Sequence, residues 1–75
     1  MTEYTPYQTS NGFRFSSSQI SHIVTRIDCG HDWQRIINDN IYQEVNGSEE
    51  DAWEIYNHCE AIVEDLDFSN LTFSS

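Results

Sequence analysis

Lysine is absent from this chain, and three arginines stand against 13 acidic residues, giving a formal charge of −10. Such a field repels nucleic acid and anionic membrane surfaces, so direct binding to either is disfavoured and not expected, and a cationic protein surface is the natural partner. Two cysteines are too few for a disulfide framework, and in a reducing compartment Cys29 and Cys59 are expected as free thiols. No apolar run approaches the roughly 20 residues that a bilayer span needs. The N-terminus shows no basic and apolar signal pattern, so a soluble protein of the cytoplasm is expected. Three glycines and one proline leave no glycine-rich phosphate loop, and each of them is informative as punctuation.

Apolar residues make up 37% of the chain and include four Phe, four Tyr and two Trp, which favours a folded chain over a disordered one despite the charge. The 75 residues are read as a single small acidic domain, residues 1–75, of modest stability. The charge is unevenly placed. Residues 1–35 set Glu3, Asp28 and Asp32 against Arg14, Arg26 and Arg35, whereas residues 36–75 hold ten acids and no Lys or Arg.

An α+β fold is expected: an N-terminal β-hairpin, three α-helices and a short C-terminal strand. Asn11-Gly12 supplies two residues tolerant of positive φ, as a two-residue type I′ hairpin loop requires. Ser10 then faces Phe13, which sets Phe13 and Phe15 on one face with Gln8, and Arg14 on the other with Tyr7 and Thr9. Ser16-Ser17-Ser18 can cap a helix near 18–28 whose Ile20, Ile23, Val24 and Ile27 recur at helical spacing, with Gly30 as its stop. Asp32 can cap a second helix, 32–45, striped by Trp33, Ile36, Ile37, Ile41 and Val45 and ending at Asn46-Gly47. Ser48 with Asp51 resembles a capping box at the start of a third helix, 48–66. Leu71 and Phe73 alternate with polar residues, which predicts a brief strand over 68–73.

The third helix dominates the reading. Between Ser48 and Asp67 it carries eight carboxylates and no Lys or Arg. At about 100° per residue, Ala52, Ile55, Tyr56, Cys59, Ile62, Val63 and Leu66 fall within an arc of about 120° and the carboxylates take the rest. Trp53 breaks the sorting, since its phase sets it among Glu49, Glu50, Asn57, Glu60 and Glu64. The candidate partner-binding residues are therefore Glu49, Glu50, Trp53, Glu54, Asn57, Glu60, Glu64, Asp65 and Asp67, with Glu44 and Asp39 extending the field. A packed Trp53, covered by the hairpin or by the C-terminal segment, is the competing reading.

Enzyme chemistry finds little support. Cys29, His31, His58 and Cys59 are four potential zinc ligands, but neighbours on a helix diverge by about 100°, and Cys59 belongs to the apolar arc. No nucleophile stands beside a base with an oxyanion site, and the acid pairs read as a solvated charge run. Neither catalysis, a metal nor a cofactor is expected.

In size, charge and the charge-segregated helix, the chain resembles the small acidic anti-CRISPR and anti-restriction proteins of phages. That resemblance implies a DNA mimic, a non-enzymatic inhibitor that occupies the cationic nucleic-acid channel of a target protein. It carries no residue roles with it. An immunity protein or antitoxin that neutralises one basic toxin or nuclease is the alternative, because acidic helices serve that role equally well.

Overall fold

The computed structural model describes the backbone of residues 4–74 and the side chains of residues 4–66. Two short antiparallel strands, β1 (Tyr7–Gln8) and β2 (Arg14–Phe15), are followed by α1 (Ser17–Asp28), α2 (Trp33–Ile36), a π-helical turn (Ile37–Ile41) and α3 (Glu49–Ser74). The α+β arrangement of a hairpin and three helices is as the sequence implied.

The hairpin register differs from the expectation. Tyr7 pairs with Phe15 and Gln8 with Arg14, so the loop holds three residues, Ser10, Asn11 and Gly12. The Thr9 amide donates to the Phe13 carbonyl (2.8 Å) and the Gly12 amide to the Thr9 carbonyl (2.9 Å). Gly12 takes φ 96° while Asn11 keeps a negative φ. This is a tight turn closed by a left-handed glycine bulge, and the extra residue slips the pairing by one. Tyr7, Thr9, Phe13 and Phe15 consequently share the inner face, and Gln8 and Arg14 share the outer one. Phe15 and Thr9 are buried, Tyr7 and Phe13 half-buried, and Gln8 and Arg14 exposed.

Ser16 starts α1 with a full capping box. Its hydroxyl accepts from the Gln19 amide (3.3 Å) and its own amide donates to Gln19 Oε1 (2.8 Å). Ile20, Ile23 and Val24 face the core, and the helix stops at Gly30 with φ 86°. In the second helical segment the expected α-helix over 32–45 gives way after one turn. The Tyr42 amide donates to the Ile37 carbonyl (2.9 Å), a wide turn that buries Ile36, Ile37 and Ile41 together, and turns follow over 42–47. Asp32 makes no side-chain cap bond. Asn46 (φ 54°) and Gly47 (φ 76°) then reverse the chain into α3.

Helix α3 packs chiefly against α1. Ala52, Ile55, Tyr56, Cys59 and Val63 close the core, whereas Leu66, assigned by its phase to the same arc, is 42% exposed. Residues 68–73, expected as a strand, continue α3 as helix. No glycine or proline interrupts 48–74, so no local stop signal ends the helix before that segment. At 1.5 Å per residue α3 is about 39 Å long, and it sets the 43 Å long axis of the molecule.

Candidate functional site

Helix α3 has two polar flanks with different fates. One is covered by the hairpin tip. Asp51, 1% exposed, accepts from Asn11 Nδ2 (2.9 Å) and from the Ser48 hydroxyl (2.8 Å) through Oδ2. Its Oδ1 is buried without a hydrogen-bond partner. One turn on, Glu54 Oε2 accepts from the Tyr7 hydroxyl (2.7 Å), and both its oxygens lie 3.1 Å from the Ser10 amide. A further turn on, His58 stacks on the Tyr7 ring at 4.2 Å and 24°. The i, i+3 and i+7 spacing of Asp51, Glu54 and His58 lines these groups along one edge of α3, where the hairpin lies across them.

The titration behaviour follows from these bonds. The Asn11 amide, with Ser48 behind it, holds the Asp51 carboxyl below its ordinary 3.8 in spite of burial. The Ser10 backbone amide and then the Tyr7 hydroxyl lower Glu54 from 4.5. The same bond raises the Tyr7 phenol, and burial lowers His58. Glu54 was expected on the solvent face with Glu50 and Glu64; it is instead the latch that fastens the hairpin. Helical phase could not reveal this, because its partners lie more than 40 residues away.

The other flank faces solvent. Glu49, Glu50, Asn57, Glu60, Glu64 and Asp65 are exposed, and the side chain of Asp67 lies outside the described residues. Glu49, Trp53, Glu60, Glu64 and Asn57 follow one another within about 80° of the helix surface, with Glu50 beside them. From Glu49 to Asp65 the axis advances about 24 Å, so five exposed carboxylates stand about 6 Å apart on average, against 3.4 Å for the charges of one DNA strand. With Asp51 and Glu54 turned to the hairpin, the charge is sparser than the eight carboxylates of the sequence suggest. Glu44 is also exposed, but Asp39 is partly neutralised by Arg35 at 3.8 Å.

Trp53 is neither free nor covered. It is 40% exposed, its ring lies 4.9 Å from that of Trp33, and Tyr56 meets it edge-on at 5.8 Å. Among the described residues its aromatic neighbours are Tyr56 and Trp33, the latter itself 42% exposed at the start of α2; the side chains of the C-terminal segment from residue 67 lie outside the described residues. Trp33 was read only as part of a core stripe. The wide π turn that follows it rotates the later isoleucines inward and leaves the indole at the surface. Beside the two rings lies an open groove of about 350 Å³ lined by Trp33, Gln34, Ile37, Asn38, Tyr42, Glu49 and Trp53.

Among the described residues, no three of His, Cys, Asp and Glu gather as metal ligands would. Cys29 is free and exposed; Cys59 is free and buried, and burial pushes its thiol up to about 12. Among the described residues no helix is long and apolar enough to cross a membrane. No known protein family, curated protein or solved structure matches this chain.

Proposed function

We propose that this chain is a non-enzymatic acidic binding protein that blocks the cationic nucleic-acid-binding surface of a target protein. In this reading it is a DNA mimic that works in the cytoplasm without a cofactor, of the kind phages deploy as anti-CRISPR or anti-restriction inhibitors. The observation that carries the proposal is the solvent face of α3, where Glu49, Glu50, Glu60, Glu64 and Asp65 stand exposed and no Lys or Arg occurs from residue 36 onward. Carboxylates so placed stand in for phosphates and steer a basic surface toward the helix.

The spacing of about 6 Å argues for matching selected phosphate positions along a channel, not for copying a strand charge by charge. The half-exposed indole pair favours a second reading, an immunity protein or antitoxin for one basic toxin or nuclease, because aromatic anchors give affinity for a single cognate partner. One experiment separates the two: capture of the partner on tagged protein, then challenge of the complex with duplex and single-stranded nucleic acid. A mimic and nucleic acid exclude each other from the target. A partner that binds both at once, or that binds no nucleic acid, contradicts mimicry.

A further inference from the structure

We infer that the groove beside Trp33 and Trp53 receives an arginine side chain of the partner. The inference rests on the reading of a cationic partner and names the group that this face selects.

At 4.9 Å the two indoles are in mutual contact, so nothing enters between them. Both residues keep about two-fifths of their surface in water, and both line the open groove. Glu49 lies at the same groove, four residues before Trp53 and therefore one helical turn from it. Gln34 and Asn38 add amide oxygens at the rim. The lining thus offers π faces, one carboxylate and neutral acceptors, and none of Arg14, Arg26 or Arg35 contributes to it.

A planar guanidinium satisfies this set. It stacks on an aromatic face, pairs with a carboxylate and still has donors for the amides, whereas an ammonium acts as a compact point charge that holds its water more strongly. An apolar side chain would strand Glu49 and both amides beside it without partners. Charge complementarity acts the same way, since the exposed Glu50 and Glu60 stand on the same helix as Glu49 and Trp53 and add to the field that draws a cation.

The test uses the whole protein and three capped pentapeptides, glycine apart from a central Arg, Lys or norleucine, and follows the two indole Nε1–H signals by NMR. The arginine peptide is expected to shift both signals saturably and at several-fold lower concentration than the lysine peptide. Glu49→Gln, at an exposed position, is expected to weaken that response about threefold, the scale of an exposed cation–π and ion-pair contact. Trp53→Leu is expected to abolish the saturable shift of the Trp33 signal, with the remaining amide spectrum reporting that the variant is folded.

Equal responses to Arg and Lys overturn the inference, because they mark attraction to the acidic surface alone. So does a stronger response to norleucine, which marks an apolar occupant, or a shift driven by protein concentration, which marks a second copy of this chain. Nucleic-acid competition that fails while the arginine peptide saturates the groove removes the mimicry reading only. Competition that succeeds with unmoved indole signals removes the groove.

Discussion

Removing the Trp53 indole is expected to cost the free protein about 2 kcal/mol, and the Trp33 indole is expected to account for part of that loss. Trp53 keeps 40% of its surface in water. A Trp side chain offers up to about 250 Å² for burial, so about 150 Å² is hidden, worth about 4 kcal/mol at ~25 cal/mol per Å². A compact denatured state reduces that by about 10–40%, and alanine returns about 0.5 kcal/mol of helix propensity. What remains is about 2 kcal/mol, or a melting temperature lower by about 8–16 °C for a domain of this size. The direct contact between the rings adds a coupling of about 0.5–1.5 kcal/mol beyond the area they hide. Urea unfolding of the wild type, Trp33→Ala, Trp53→Ala and the double variant measures both quantities, with the coupling read as the departure from additivity. Additive losses would refute the ring pair as a unit. A Trp53→Ala protein as stable as the wild type would mean that the indole stands in water unsupported, and a loss beyond about 4 kcal/mol would make it a core residue.

Four further outcomes follow from particular contacts. Asp51 and Glu54 titrate in the folded state below their free values of 3.8 and 4.5, so the stability they supply is complete above that range and is lost as pH falls through the lower folded values. Relief of repulsion among the exposed carboxylates opposes this, and the discriminating measurement is the difference between wild type and Glu54→Gln: the urea midpoint of the variant should fall less steeply below pH 4.5, and identical acid limbs would show that the latch does not form. In the alkaline direction Cys59, raised from 9.0 to about 12, contributes stability that is present below 9 and lost as pH climbs toward 12; iodoacetamide at pH 8 should therefore label Cys29 alone in folded protein, with mass spectrometry finding a Cys59 adduct only after denaturation. Gly12→Ala should cost about 1–2 kcal/mol by urea unfolding, from the left-handed backbone alone, because the new Cβ meets only Gln8 Nε2 at an ordinary 3.8 Å; a neutral result would mean that the bulge is not formed. Ile41→Ala, fully buried in the π turn, should cost about 2–5 kcal/mol by the same assay, whereas a loss under 1 kcal/mol would place that turn outside the core.

What could be read from the sequence was whatever local chemistry decides. Ser16-Ser17-Ser18, Gly30, and Asn46-Gly47 before Ser48 are start and stop signals acting within a few residues; α1 begins and ends by them and α3 begins by them, whereas the second helix gives way before it reaches Asn46. The hairpin was visible in Asn11-Gly12, but its register turned on whether both residues or Gly12 alone take the left-handed conformation, and the loop so formed is held where Asn11 and Ser10 bond to Asp51 and Glu54 across the molecule. The same long-range pairing explains the misplaced Glu54. Periodicity sorts residues by angle on their own helix and carries no information about an element that arrives from 40 residues away. The π turn escaped for a related reason: the stripe from Ile36 to Val45 fits an α-helix nearly as well, and Trp33 could be recognised as a surface residue only once the wide turn was known. The exposed carboxylates from Glu49 to Asp65 were legible because helical phase alone sets them outward.

The association rate of this protein with its captured target, followed by stopped flow across a salt series, tests the central claim most directly. If the exposed row on α3 steers binding to a cationic channel, the rate falls steeply as salt rises, and Glu50→Gln/Glu60→Gln/Glu64→Gln slows it about tenfold or more at low salt without lowering the melting temperature. A rate indifferent to salt and unchanged by those three substitutions would contradict the account and assign binding to an apolar surface.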